Sequence, residues 1–446
     1  MRRAIAIVVG TLVLMGGNIA AARVSSHGYG DPVAQLPGVH RTLRPIPNPG
    51  WTTEHVWNAN ENDWEPAIAA DPNSPYVYAL ATRYSPPRRC DTCRIPGIVL
   101  RVSDDGGKTW HPDKFLCACT NFPGGQYDPI IEVDADGTVH AVWLQGYDPG
   151  AVYSRSTDHG KTWSNPVTMP IAWSDKPQLA VSADGRDVYI DVNGPSHGDS
   201  RVGVSHDGGA TFTVARVTDS DRYKFAGGAW ASPDGQHVAF AQSDYDQRYR
   251  GRIHFETALS DDGGATWRSV RVATGFRQPD CTSQGCPDGF YGPTPALAGD
   301  PSGALVYVYA ANRKPRGPQR IYATTSLDGG NTWKLGIGLS PPGTDAVFPA
   351  AASGGAGDFR VWWMDTRTGR WNVWYSRTTD GGLTWSTPIR LSNATSGAQY
   401  KGRRGFLEAY GDYGEMAVTN EGKTVAIWGE GMSYDGPGGV WFTRQR

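Results

Sequence analysis

The sequence predicts an all-β fold: a β-propeller, a closed ring of seven four-stranded blades, with six blades as the alternative count. Three observations predict it. A turn string of the form Ser-x-Asp-x-Gly-x-Thr-Trp recurs six times along 446 residues. A second pattern, strand–Asp/Asn/Gly turn–strand, occurs seven times. The composition, with 57 Gly, 32 Pro, 17 Trp and 20 Tyr, suits many short strands joined by tight turns.

The turn string comes first because it sets the period. Full copies run from Ser103 to Trp110, Ser156 to Trp163, Ser260 to Trp267 and Ser326 to Trp333. The copy at Ser205 ends in Phe212, and the last, Thr378 to Trp385, opens with Thr. Successive copies start 53, 49, 55, 66 and 52 residues apart. Each residue type has a task. The Asp carboxylate can accept backbone N–H bonds and close the turn. Gly adopts positive φ without steric cost. Thr restarts an extended strand. Trp offers a large flat surface to a neighbouring layer.

The second pattern precedes each turn string. It reads Glu65-Pro66 to Leu80 in unit one, Asp128-Pro129 to Trp143 in unit two, and Asp175-Lys176-Pro177 to Ile190 in unit three. The remaining units end their second strands at Phe240, Val308, Trp363 and Trp428. The seventh unit lacks a turn string, because the chain stops at Arg446 soon after Val440-Trp441-Phe442. A ring must hide that edge. The segment around His55-Val56-Trp57 is expected to supply the missing strand and close the ring.

The turn string resembles the Asp-box (BNR) repeat of sialidases and related propellers. In that class the box is the turn between the third and fourth strands of a blade. The resemblance implies structural roles for Asp105, Asp158, Asp207, Asp262, Asp328 and Asp380. Two departures stand out. Catalytic sialidases are six-bladed, against seven units here. Their Arg-Ile-Pro clamp sits on a first strand, whereas Arg94-Ile95-Pro96 lies seven residues before Ser103, at a third strand.

Domain limits follow. Met1-Arg2-Arg3, an apolar run and Ala20-Ala21-Ala22 read as a secretory signal peptide over residues 1–22. A Pro- and Gly-rich arm occupies 23–50, and the propeller 51–446. A secreted location, extracellular or periplasmic, is expected, with no membrane span after signal removal. Formal charge is −2 from 42 basic and 44 acidic residues, which gives no footprint for nucleic acid. Cys90, Cys93, Cys117, Cys119, Cys281 and Cys286 suit three disulfides in an oxidising space. Cys281 with Cys286 is the expected pair, and the other four allow three connectivities. A zinc site is the rival for Cys90 and Cys93. No cofactor or metal is otherwise expected.

Function collects on loops held by a rigid scaffold. Turns after strands one and three share one face, so the opposite rim is the candidate site. There Glu65, Asp128, Asp175 and Asp412 should converge on the channel mouth. Rim arginines are Arg313, Arg316, Arg367, Arg370, Arg403 and Arg404. Tyr is a poor nucleophile at its usual pKa of about 10, so it needs a carboxylate base. Tyr410, Glu408, Asp365 and Asp128 are therefore the catalytic candidates. Arg367, Arg403, Arg404, Glu65, Asp175 and Asp412 are the candidates for substrate binding, Arg because its planar fork grips carboxylates. The expected function is a sialidase-like exo-glycoside hydrolase acting on an extracellular glycan or glycoprotein, as a monomer. The alternative is a non-catalytic glycan- or protein-binding propeller. Asn393-Ala394-Thr395 also fits a glycosylation acceptor.

Overall fold

A computed structural model describes residues 50–58, 60–84, 96–116, 124–146, 148–171, 174–193, 200–217, 222–245, 251–276, 294–368, 371–392, 414–431 and 438–446. Residues 1–22, expected to be a signal peptide, nearly all of 23–50, all six cysteines, Arg94, Arg370, Asn393, Arg403, Arg404, Glu408, Tyr410 and Asp412 lie outside these residues.

The described residues form seven four-stranded antiparallel sheets and no helix. The inner strands are Asp63–Ala70, Gln126–Val133, Asp175–Val181, Tyr223–Ala231, Pro295–Gly299, Ala346–Gly355 and Gly414–Val418. Each packs on the two that flank it, and Asp63–Ala70 meets Gly414–Val418, so the ring is closed. The seventh sheet is completed from the other end of the chain. His55 pairs with Phe442 and Val56 with Trp441, and Trp57 N–H donates to Val440 O at 2.7 Å. The edge that the C-terminal strand would expose is thereby paired.

Strand periodicity dictates the packing. Side chains alternate between the two faces of a strand. In blade 2, Val139, Ala141 and Trp143 face blade 1, while Val142 and Leu144 face blade 3. Repeating this at every blade gives one apolar cluster at each of the seven blade-to-blade interfaces. The terminal aromatic of each box enters the cluster shared with the preceding blade. Trp110 lies 5.1 Å from Phe442 of blade 7, and Phe212 lies 5.5 Å from Tyr153 of blade 2.

The boxes share one geometry. In the third, Asp207 Oδ1 accepts the Thr211 N–H at 2.9 Å and the Ser205 hydroxyl at 2.7 Å. Its Oδ2 accepts the Thr211 hydroxyl at 2.6 Å. Asp105, Asp158, Asp262, Asp328 and Asp380 repeat the pattern. The Thr211 hydroxyl, the Thr211 amide and the Ser205 hydroxyl pull the Asp207 carboxyl down to about 2. The boxes bond to the turns after first strands, as Gly106 N–H to Pro75 O at 2.8 Å and Gly263 N–H to Gln236 O at 3.0 Å. Both turn sets thus occupy one face.

Candidate functional site

The opposite face is built on an irregularity repeated in the inner strands. Strand register shifts between Trp64 and Ala67, Tyr127 and Ile130, Asp175 and Gln178, Ala226 and Ala229, and Val347 and Ala350. Four of these bulges hold a residue just before proline in the left-handed region: Glu65 at φ 55°, Asp128 at 51°, Lys176 at 52° and Phe348 at 51°. Such conformations cost of order 1–3 kcal/mol in non-glycine residues and persist only where their surroundings enforce them. The bulge re-aims the side chain, and Glu65, Asp128, Lys176 and Phe348 are all buried there.

The register corrects one alignment. Lys176, not Asp175, stands in blade 3 where Glu65 and Asp128 stand in blades 1 and 2. Asp175 holds the preceding position, in register with Trp64 and Tyr127, and is buried. At this bulge position blades 1, 2 and 3 therefore carry two acids followed by a base.

These bulges are tied to the neighbouring blades. Asp128 N–H donates to Glu65 Oε2 at 3.2 Å, and Phe348 N–H donates to Thr294 Oγ1 at 3.3 Å. The other oxygen of Glu65, Oε1, accepts the Tyr84 hydroxyl at 2.9 Å. Tyr84 follows the second strand of blade 1, and its amide is anchored on Asn62 O at 2.8 Å. Burial, then the charges of Glu65 and Asp128, hold the Tyr84 phenol well above its ordinary pKa. Tyr127, with its ring 6.2 Å from that of Tyr84, is raised by the same three causes. Tyr84 thus rests as a phenol whose proton is already directed at a carboxylate.

Tyr84 is not dictated by the repeat. Residues in register with it are Gly146, Asn312 and Thr366 in blades 2, 5 and 6. Sequence reading missed it, because no motif surrounds it.

Asp365 and Arg367 are brought together, but chiefly with each other. Arg367 Nη2 and Nε reach Asp365 Oδ2 at 2.6 and 3.0 Å, and the indole N–H of Trp363 donates to the same oxygen at 2.8 Å. The guanidinium lies 3.8 Å from the Trp374 ring centroid. Arg83 is likewise committed, to Asp63 at 2.8 Å and to Asp113.

A second charged group lies on the flank of blade 4 that faces blade 3. Ligand atoms of Asp244, His254 and Glu256 lie within 4.8 Å of one another, a spacing that could hold a metal ion. The ammonium of Lys224 already bridges two of them, 3.2 Å from Asp244 Oδ2 and bonded to Glu256 Oε2. Arg222 and Arg271 engage the other two oxygens of Asp244 and Glu256. The group is thus charge-compensated by its own side chains.

The box geometry has a counterpart among known families, for the BNR/Asp-box repeat matches residues 101–112. The chain is a seven-bladed β-propeller that carries this repeat. No curated protein matches its sequence at a significant level. Among solved structures, a protein of unknown function from Dyadobacter fermentans superposes with TM-score 0.51 at 15% identity, covering 90% of this chain and 100% of that one. An ulvan lyase of polysaccharide lyase family PL25 gives TM-score 0.49 at 12% identity, over 87% and 95%. NanB sialidase from Streptococcus pneumoniae gives 0.47 at 13%, over 90% and 71%. At such identities the likeness is one of fold.

Proposed function

We propose that this Asp-box propeller is a secreted glycoside hydrolase of the sialidase-like type, acting on extracellular glycans, with Tyr84 as nucleophile and Glu65 as its base. One observation carries the reading. Tyr84 Oη donates to Glu65 Oε1 at 2.9 Å at a rim position where the repeat requires no tyrosine. In the proposed step, Tyr84 Oη bonds to the anomeric carbon while its proton passes to Glu65. The glycosidic C–O bond breaks, and the departing oxygen takes a proton from a second carboxyl group. Asp128, in its protonated form, is the candidate for that donor, because its amide already holds Glu65 beside Tyr84. Tyrosine nucleophiles are an accepted variant of glycoside hydrolysis.

The binding reading has one observation in its favour. Arg83 and Arg367 are committed to carboxylates of their own blades, so neither offers an open guanidinium to a substrate acid.

The test is turnover of fluorogenic sialosides and of a broad panel of other glycosides. Tyr84→Phe and Glu65→Gln should each lower kcat by about 10²–10⁴ while the fold melts unchanged. A wild-type chain inert across the panel removes the enzyme reading in favour of binding. Loss on Tyr410→Phe and Glu408→Gln, with Tyr84→Phe fully active, moves the chemistry to that pair.

A further inference from the structure

Exposed large apolar side chains are confined, among the described residues, to one sector of the ring. They are Leu327 (64% exposed), Leu335 (93%), Ile337 (43%) and Leu383 (65%), all on blades 5 and 6. Two of them replace polar or small residues of the repeat. Leu327 is the second residue of its box, where the other boxes carry Asp104, Thr157, His206, Asp261 and Thr379. Leu383 is the sixth, where the others carry Lys108, Lys161, Ala210, Ala265 and Asn331. The chain next to Leu383 packs on the blade that carries Leu327. Gly382, next to Leu383, packs so closely on blade 5 that an added Cβ would stand 2.4 Å from Thr325 Cγ2, two residues before Leu327. Scattered surface leucines need no explanation, but a strip that departs from an otherwise polar or small-residue repeat does.

The described chain enters the ring at blade 7, beside blade 6. Arg446 N–H donates to Gly50 O at 2.8 Å, at the box end of the last strand. Trp51 packs 4.9 Å from Tyr375 of blade 6. The preceding segment, 23–49, carries Val33, Leu36 and Val39 at every third position, between Pro32 and Pro45 and around Pro37. Leu43 and Ile46 follow, again three apart. A polyproline II helix has three residues per turn, so this spacing would set Val33, Leu36 and Val39 on one face over about 19 Å. The ten residues from 40 to 49 would span at most roughly 33 Å, enough to pass from blade 7 to its neighbours.

We propose that residues 33–39 dock as an apolar-faced extended segment on the strip formed by Leu327, Leu335, Ile337 and Leu383, so that the arm straps the box face of blades 5 and 6 from outside. This surface role is independent of the catalytic reading. It explains why the boxes of blades 5 and 6 carry leucine where the other boxes are polar or small, and why Val33, Leu36 and Val39 stand three apart.

Limited trypsin digestion of the chain beginning at Arg23 tests it, with cleavage after Arg41 followed by mass spectrometry. The double variant Leu327→Glu, Leu383→Glu should raise cleavage there on the order of tenfold. Val33→Asp with Leu36→Asp should do the same from the other side of the contact, with the melting temperature of the ring unchanged in both. Hydrogen exchange across 326–337 and 380–385 should rise when residues 23–49 are deleted. Equal cleavage in wild type and both double variants overturns the proposal. So does a wild-type dimer that Leu327→Glu, Leu383→Glu dissociates without altering cleavage, because a second copy would then cover the strip.

Discussion

Gly209, in the third box, lies flat against the ring of Tyr153 in blade 2: an added Cβ would stand 2.0 Å from Tyr153 Cε1. The same contact recurs around the ring. Added Cβ atoms at Gly107, Gly160, Gly264, Gly330 and Gly382 would meet Phe442, Leu100, Val204, Leu259 and Thr325 of the preceding blades at 2.4–3.2 Å. The first box glycine packs less closely: at Gly208 a Cβ would meet only the far end of the Arg155 side chain. Gly106, Gly329 and Gly381 face open space, and blade 2 has His159 there at φ 58°. Gly209→Ala should therefore destabilise the ring by about 3 kcal/mol or more, from overpacking together with positive-φ strain. Gly381→Ala should cost only about 1 kcal/mol, from backbone strain alone. Paired thermal melts check this, and equal losses would show that the close packing is not what the second glycine serves.

The closing strand is short, so its aromatics matter. Trp51 is buried between blades 6 and 7, and Trp57 lies beneath the guanidinium of Arg101 in blade 1, 5.0 Å from centroid to Cζ. One segment thus grips three blades. Trp51→Ala should cost about 3–5 kcal/mol, as for other buried tryptophans. Deleting residues up to 57 would bare the edge of Gly438–Arg444 and should bring aggregation as well as a lower melting temperature. Light scattering during the melt distinguishes the two effects. A truncated chain that melts reversibly as a monomer would mean the ring does not need the strand.

Much of this architecture is legible in the sequence, because box chemistry is local. Asp207, Thr211 and Phe212 announce a turn and an aromatic anchor wherever they occur, and the edge left by Phe442 points to a donor strand near His55. The mouth is less legible, because register there depends on bulges. Aligning on the acid placed Asp175 with Glu65 and Asp128, whereas aligning on Pro66, Pro129 and Pro177 would have placed Lys176 there. Tyr84 leaves only a faint trace: a tyrosine in register with Gly146, Asn312 and Thr366. The partnership of Asp365 with Arg367 is local again, two residues apart, and was visible as such.

Asp191 gives a pH signature. It is fully buried between blades 3 and 4, where it accepts the Ser200 hydroxyl at 2.9 Å and the Gln242 amide at 2.8 Å, near Lys224. Burial raises its pKa from 3.8 to about 7, against the hydrogen bonds that lower it. The folded pKa lies above the unfolded one, so the unfolded chain releases this proton first as pH rises. Stability from this group is present below about pH 4, falls between about pH 4 and 7, and is flat above. Asp207 runs the other way: its folded pKa of about 2 lies below the unfolded value, so its stabilisation is present above about pH 4 and lost as pH falls toward 2. Asp191→Asn should stabilise the ring at pH 8 by about 2–4 kcal/mol and leave it little changed at pH 4. The new amide can donate to Gln242 Oε1, a buried acceptor without a donor, once that side chain flips. Denaturant melts at both pH values decide it, and a parallel loss at each would show that Asp191 is ionised in the fold.

Asp128 makes the sharpest test of the proposed chemistry, because its two roles can be separated. Its backbone N–H holds Glu65, and this survives substitution of the side chain. Its carboxyl is the candidate proton donor to the leaving oxygen. A leaving group that departs readily as an anion needs little protonation, whereas an alkoxide needs a great deal. Asp128→Asn should therefore leave turnover of aryl glycosides with acidic phenols within about tenfold of wild type, and slow natural-type linkages by about 10²–10⁴. Tyr84→Phe should slow both classes alike, since it removes the atom that attacks. A plot of log kcat against leaving-group pKa displays the difference as a steepened slope for Asp128→Asn alone. If the slope is that of wild type, the proton comes from another group, and Asp128 serves the mouth only through its left-handed backbone.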